Sequence, residues 1–333
     1  MQYYKIGYVP NAVIPDVTPA DVGKLTHINL AFGLVENGLL DTHKLTHIDA
    51  IQNFKRWNPQ LKVILSVGGW GAGGLSTMAL TAEGRRGFAA SCLAYVQQHQ
   101  LDGIDIDWEY PCNDAAGIDA NPRDRENFTL LLQALRDALG PDRIVSIAAG
   151  AGEYFIRDTE INKVASLVDY VQVMTYDMRN GNTTQAGHHA ALGSSAGDDK
   201  TTSTRYIMDL FHNAGVPSRK LIVGIAFYGR TFTGVPNVNH GLLQPAGSVG
   251  NYGPAFSEIT EDFLREGHFT QYWDEQAEAS YLWNGRDFIS FESAEAVRRK
   301  CAYAKEKGFL GVMYWQHGSD TTRALLTVID KTL

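Results

Sequence analysis

The sequence predicts an α/β chain folded as a (β/α)8 TIM barrel, with a small α+β insertion after the seventh strand. Three observations predict it. Eight short apolar or β-branched runs, bounded by Gly or Asp, recur along the 333 residues. Most intervals between them carry apolar residues at helical three-to-four spacing. One interval, between Phe227 and Ala294, exceeds 60 residues, where a crossover loop normally takes about 2–6. Strands alternating with helices imply parallel strands with covering crossovers. Eight such pairs in a chain of this length fit a closed barrel better than an open sheet.

The strand runs are Tyr4–Val9, His27–Leu34, Leu61–Val67, Gly103–Trp108, Ile144–Ala148, Tyr170–Tyr176, Leu221–Phe227 and Phe309–Trp315. Helical patterns cover Leu45–Trp57, Arg85–His99, Arg123–Leu139, Thr201–Ala214, Ala294–Lys307 and Thr321–Ile329. Phe128, Leu131, Leu132, Leu135 and Leu139 show the spacing well. The short interval after the fifth run holds a weaker helix, Ile156–Val168. Arg230–Phe288, rich in Gly, aromatics and turn residues, reads as a small subdomain on the rim. The expected division is 1–229 and 289–333 for the barrel and 230–288 for the insertion.

Composition removes several classes of function. Lys plus Arg is 29 against 37 Asp plus Glu, a net charge of −8, opposite in sign to most nucleic-acid-binding domains. Apolar stretches such as Leu221–Tyr228 are far shorter than the ~18 residues of a membrane span. Cys92, Cys112 and Cys301 are too few and too scattered for a disulfide framework or a zinc site, so free thiols with at most one bridge are expected. Tyr4–Val9 begins so near Met1 that no leader precedes it. Retention in the cell, leaderless export and a removed leader are the three options. No repeat, low-complexity tract or linker divides the chain.

The strongest local signal is Leu101-Asp-Gly-Ile-Asp-Ile-Asp-Trp-Glu-Tyr110. Asp105, Asp107 and Glu109 alternate, so a strand puts all three on one face and Ile104, Ile106 and Trp108 on the other. Asp102 has the opposite parity and reads as structural. Carboxylates stepped about 6.6–6.8 Å apart along a barrel strand cannot all stay ionised once desolvated. One should hold a proton and titrate with the others, and the outermost, Glu109, is best placed to deliver it. A solvated acidic strand would not have such apolar neighbours. A metal site would want His or further carboxylates, whereas the other strand ends offer Ser66, Tyr176 and Trp315. Acid/base catalysis is the favoured reading.

DGIDIDWEYP resembles the signature of glycoside hydrolase family 18, the chitinases and related enzymes, and the likeness extends along nearly the whole chain. Leu65-Ser-Val-Gly-Gly-Trp70 is similar to the third-strand motif, Met174-Thr-Tyr-Asp177 to the sixth, Phe227-Tyr-Gly-Arg230 to the end of the seventh, and Gly311-Val-Met-Tyr-Trp315 to the eighth. The insertion falls where deep-cleft chitinases carry an α+β domain. The resemblance implies a substrate-assisted exception to the two-carboxylate scheme. Glu109 would protonate the glycosidic oxygen, and the substrate's 2-acetamido oxygen would act as nucleophile with net retention. Asp107 would orient that acetamide, sharing a proton with Asp105 before turning toward Glu109. Tyr176 would hydrogen-bond the acetamide, and Asp177 would help hold the distorted sugar.

The resemblance also implies Trp315 as an apolar floor beneath the reacting sugar. Tyr8, Phe32 and Ser66 would line the site or relay charge to Asp105, and Trp70 would flank the leaving sugar. Gly69, Met174, Tyr228 and Arg230 would contact the cleft. Trp57, Trp108, Trp273 and Trp283 read as mainly structural, although Trp273 lies in the insertion and could touch sugar. After Asp177 the run Met178-Arg-Asn-Gly-Asn-Thr-Thr lacks the aromatic that many deep-cleft chitinases have, so subsites beyond the cleavage point should be weaker or differently made. With the chain ending soon after the last helix, no appended chitin-binding module is expected.

The implied function is a retaining glycosidase on β-1,4-linked N-acetylglucosamine. Its partner would be chitin or chitooligosaccharides, with no metal, organic cofactor, nucleic acid or membrane, as a monomer acting outside the cell. Rival readings are a sugar-binding lectin, opposed by the intact Glu109, an endoglycosidase on N-glycan cores or peptidoglycan, and a metal-dependent barrel hydrolase. Gly69-Trp-Gly-Ala-Gly-Gly74 matches GxGxxG but lacks the acidic residue about 20 positions on that a dinucleotide site needs. His43 and His47, at i and i+4, read as a surface helix face. His188-His189 reads as a mobile rim segment, and Ser66 lies outside any GxSxG.

Overall fold

A computed structural model describes residues 2–333. Eight parallel strands close into a barrel: β1 (Tyr4–Pro10), β2 (His27–Glu36), β4 (Lys62–Gly68), β5 (Gly103–Asp107), β6 (Ile144–Gly150), β7 (Tyr170–Met174), β8 (Leu221–Ala226) and β14 (Gly311–Trp315). The order is β1-β14-β8-β7-β6-β5-β4-β2, and β1–β2 pairing shuts the ring. The short β3 (Leu39–Asp41) folds back on β2 through Asn37 and Gly38, both at positive φ. Asn-Gly between apolar residues is the expected signal for that hairpin. The strand-and-helix rhythm passes over it by ending the run at Leu34.

Helices α1 (Pro19–Val22), α2 (Ile51–Trp57), α3 (Leu75–Ala79), α4 (Ala82–Gln98), α5 (Asp124–Leu139), α6 (Glu153–Arg157), α7 (Ile161–Leu167) and α8 (Thr204–Asn213) lie in the crossovers. In α5 the apolar stripe Phe128, Leu131, Leu132, Leu135 and Leu139 is buried, and Gly140 ends the helix at positive φ. That stripe shares one cluster with Ile104, Ile106 and Trp108, the outward side of β5. Two helical expectations are corrected. Leu45–Trp57 is helical only from Ile51, after a 3-10 turn at Ile48–Ala50. His43 and His47 therefore precede the helix instead of sharing its face; the Asp41 carboxylate takes the His43 N–H and holds that turn. Ile156–Val168 splits into α6 and α7, with Asp158–Glu160 between them.

Beyond β8 the chain builds a second, antiparallel sheet. It contains β9 (Tyr228–Phe232), β10 (Asn251–Ala255), β11 (Thr270–Asp274), β12 (Ala279–Trp283) and β13 (Phe288–Phe291), in the order β10-β9-β13-β12-β11. Period-two alternation gives it two apolar faces. Phe232, Tyr281, Trp283 and Phe288 pack with Ala186 and Leu242. Leu282, Ile289 and Phe291 pack against Phe263 and Leu264 of α9 (Glu261–Glu266). The sheet starts at Tyr228, directly after β8, two residues before the rim segment expected from sequence. Helices α10 (Ala294–Glu306) and α11 (Ala324–Thr332) complete the barrel. Among the described residues no helix is long and apolar enough to cross a membrane, and the three cysteines are free thiols.

At the mouth, Gly68 sits at φ +123°, and a Cβ there would overlap the Asp107 carbonyl. Substituting Gly68→Ala should therefore cost about 3 kcal/mol through backbone strain and displacement. Urea unfolding checks this; a loss below about 1 kcal/mol would show that β4 and β5 can part freely at this point.

Candidate active site

Parity along β5 puts Asp105 and Asp107 inside the barrel, where their side chains meet residues from other strands. Asp105 is fully buried and receives four hydrogen bonds. Tyr8 Oη (2.8 Å) and Ser66 Oγ (2.7 Å) donate to Oδ2; Ser146 Oγ (2.8 Å) and Gln172 Nε2 (2.9 Å) donate to Oδ1. Ser66, Asp105 and Ser146 are direct register partners on β4, β5 and β6. Asn29 of β2 donates across the interior to Gln172 (3.1 Å). Burial pushes the Asp105 carboxyl up, and the four donors pull against that rise. Tyr8 and Ser66 thus both donate to the same oxygen of Asp105. Ser146 and Gln172 add two donors that sequence reasoning missed, although a polar residue inside an otherwise apolar strand run was a signal for each.

Four donors thus surround the Asp105 carboxyl, two on each oxygen. Oδ1 of Asp107 is buried without a partner. Burial, then the charges of Glu109 and Asp105, push the Asp107 carboxyl well above its usual range. Glu109 follows just beyond the strand end. Burial pushes it up to about 7 and the charge of Asp177 adds to the rise, while a hydrogen bond from Tyr110 opposes it. The Tyr110 ring packs edge-on against Tyr154 at 5.1 Å. Neighbouring Asp102, of opposite parity, instead caps the Val63 N–H and pairs with Lys55 and Lys62, a structural role.

The opposite wall comes from β7 and β9. Asp177, at φ +55°, receives a bidentate grip from Arg230: Nε to Oδ1 at 2.7 Å and Nη2 to Oδ2 at 2.7 Å. Burial would raise the Asp177 carboxyl, but His189 and Arg230 outweigh it and hold it well below the carboxylate range. Met174 and Tyr176 are buried in the inner cluster with Tyr8, Tyr228 and Met313. Burial, reinforced by the Asp107 and Glu109 charges, pushes the Tyr176 phenol far up, so it stays a hydrogen-bond donor. Trp315 lies at the end of β14, stacked on Phe32 at 5.4 Å and edge-on to Tyr8 at 6.0 Å. Tyr228 stacks on Tyr252 of β10 at 4.4 Å, and the Arg230 guanidinium lies over both rings. Tyr252 had no motif to mark it.

Trp70 is 63% exposed and meets Tyr110 edge-on. Gly69 is at φ +94°, close under the Phe32 ring. Phe32, Gly69 and Trp70 line a cleft of about 540 Å³ that extends along the Gly-rich loop toward Val35. Residues drawn from six barrel strands and the insertion therefore converge on one open mouth. Trp273 is not part of it; Arg299 covers its ring. Trp108 and Trp283 are core residues, and Trp57 is 40% exposed.

The histidine expectations need correction. His188 and His189 are buried. His188 Nε2 lies 3.3 Å from Asp274, and His189 Nδ1 lies 3.4 Å from Asp177. They wedge the loop after β7 between barrel and insertion, where aromatic packing against Tyr281 and Tyr228 replaces the solvent that Gly-rich flanks suggested. Among the described residues one group has metal-compatible spacing, Glu36, Asp41 and His43 on the β2–β3 hairpin. It lies at the surface, apart from the Asp105 row.

A closed parallel barrel whose strand ends gather a carboxylate row and stacked aromatic rings is the arrangement that the resemblance to glycoside hydrolase family 18 leads one to expect. The comparisons agree: residues 2–320 match Glycosyl hydrolases family 18, and the chain belongs to that family. It is 34% identical to Chitinase A1 of Niallia circulans over 305 residues, covering 84% of this chain and 43% of that protein. It is 30% identical to Chitotriosidase-1 of Mus musculus, covering 89% and 67%. The chain thus spans less than half of the bacterial relative. Among solved structures, a family 18 N-acetylglucosaminidase from Paenibacillus barengoltzii superposes with a TM-score of 0.97 at 44% identity, each chain covered in full.

Glu109 binds its proton more tightly folded, at about 7, than at the ordinary 4.5 of the unfolded chain. Between those values the folded state keeps a proton that the unfolded state has lost, so stability falls as pH rises. Glu109→Gln removes this penalty. The Tm of the variant relative to wild type should therefore climb from pH 4.5 to 7 and level off above. A pH-independent difference would contradict burial as the cause.

Proposed function

We propose that the chain is a retaining glycosidase that cleaves β-1,4-linked N-acetylglucosamine, in chitin or its oligosaccharides, by substrate-assisted catalysis. The observation that carries this reading is the Asp105–Asp107–Glu109 row, opening beside Tyr176 and Trp315. Glu109, pushed up to about 7, gives its proton to the glycosidic oxygen as the bond to C1 breaks. The acetamide oxygen of the same sugar closes on C1 to an oxazolinium ion, and the leaving sugar departs as an alcohol. Asp107 accepts the acetamide N–H and Tyr176 donates to its oxygen, holding the nucleophile in attack geometry. Water then attacks C1, gives a proton back to Glu109, and reopens the ring with the β configuration kept.

Trp315 and Phe32 offer the apolar face a sugar ring packs on. Asp177, held ionised by Arg230, is an acceptor for sugar hydroxyls. Trp70 takes the leaving-sugar side, and the 230–288 unit forms a wall along the cleft. A second reading within the same chemistry is release of single N-acetylglucosamine units. It is favoured by the full-length likeness to an N-acetylglucosaminidase at 44% identity.

An early time course on the N-acetylglucosamine hexamer, resolving product length and anomer, tests both. Excess β-anomer is expected. Dimers to tetramers first would mark internal cleavage, and monomer first would mark the second reading. Excess α-anomer would overturn the mechanism. Glu109→Gln should lower kcat by about 10³-fold or more while oligosaccharide binding survives; a variant within tenfold of wild type would remove Glu109 as the acid. In wild type, kcat/KM should fall as pH rises through about 7, because only protonated Glu109 is competent. Tyr176→Phe should depress kcat more than it raises KM, since its hydrogen bond strengthens as the ring closes.

A further inference from the structure

The end of β7 does not follow the barrel ladder. Pairing with β8 stops at Val173–Val223, whereas β8 stays paired with β14 as far as Ala226–Trp315. Beyond that point Thr175 N–H turns back to the Val173 carbonyl (2.8 Å) and Tyr176 N–H to the Met174 carbonyl (2.6 Å). This swings Tyr176 and Asp177 into the mouth. The price is that backbone groups of Thr175, Gly224 and Ala226 lose ladder partners where water cannot reach, and each must be satisfied otherwise.

A buried bracket supplies those partners. Thr175 Oγ1 donates to the Gly224 carbonyl (2.7 Å) and accepts the Gly224 N–H (3.0 Å). Lys300 Nζ, from α10, donates to the carbonyls of Thr175 (3.4 Å) and Gly224 (3.2 Å) and to Glu292 Oε1 (2.8 Å). The same Glu292 oxygen accepts the Ala226 N–H (2.9 Å). The Lys300 and Glu292 side chains are 1% and 2% exposed. A Cβ at Gly224 would crowd the Val173 carbonyl and the Thr175 N–H, so the two backbones meet closely at this point. A buried ion pair is a poor source of stability, since well-packed apolar residues commonly do as well. Its distinct capacity here is to fix several backbone groups at once.

We propose that Lys300 and Glu292 are positioning residues: their ion pair clamps the off-ladder ends of β7 and β8 and so sets the pose of Tyr176 and Asp177. Glu292 is the first residue after β13, so the clamp also joins the chain's return from the insertion to the catalytic strand ends. The catalytic consequence rests on the glycosidase reading; the clamp itself does not.

The test is the double substitution Glu292→Gln with Lys300→Met, which removes both charges together. Two readouts are needed: steady-state kinetics on a chromogenic chitobioside, and hydrogen exchange of peptides covering residues 173–179 and 224–227. Expected are a fall in kcat of at least about 10-fold with KM changed less than about threefold, and faster exchange confined to 173–179 and the facing end of β8, 224–227. A kcat within about twofold of wild type, or exchange that rises evenly across the barrel, overturns the positioning role. If wild type itself turns over no chitooligosaccharide, the glycosidase reading fails and exchange alone judges the clamp; unchanged uptake at 173–179 then overturns it. Should the double variant not fold, Thr175→Val opens the same bracket from its other side and is judged by the same two readouts.

Discussion

Three carboxyl groups in a row, two on one barrel strand and the third just past its end, are the constraint to which the rest of the structure answers. Desolvating a carboxylate costs several kcal/mol unless it is hydrogen-bonded or neutralised, and this chain uses a different remedy at each depth. Asp105, deepest, is met by four neutral donors from four strands. Asp107, with one oxygen unpartnered, is pushed toward the neutral acid. Glu109, at the mouth, is pushed by burial up to about 7. The gradient in environment along five residues turns three chemically similar side chains into three different groups.

The same electrostatics shape the facing wall. Asp177 lies close enough to raise Glu109 yet is itself held ionised by Arg230 and His189. Arg230 belongs to β9, the first strand of the insertion, and His189 to a loop pinned by Ser290 of β13. The insertion therefore does more than border the cleft; it supplies the cation that sets the charge of a site residue. Through Tyr252, stacked on Tyr228, it also adds an aromatic surface beside Trp315. Barrel and insertion form one electrostatic unit at the mouth.

Much of this was legible in the chain. The eight strands follow from short apolar runs, and α5 from its Phe128–Leu139 stripe, because periodicity is a local property that burial on one face imposes. The inward pair Asp105 and Asp107 follows from parity along β5, whereas Glu109 lies past the strand end. Elements went astray where a local signal had a competitor. His43 and His47 have helical spacing, but both precede the 3-10 turn at Ile48–Ala50 and the helix that begins at Ile51. His188 and His189 sit among glycines, which suggested a mobile loop, yet the insertion closes over them.

The places of the strands along the chain, their parity and the row of acids were thus determined by the sequence itself, since each depends on residues within one turn or one strand. Which donors fill Asp105, and that Lys300 reaches the carbonyl of Thr175, 125 positions away, were decided only by the tertiary structure. Hydrogen bonds act over about 3 Å, and closure of the barrel and docking of the insertion bring such distant residues within that range.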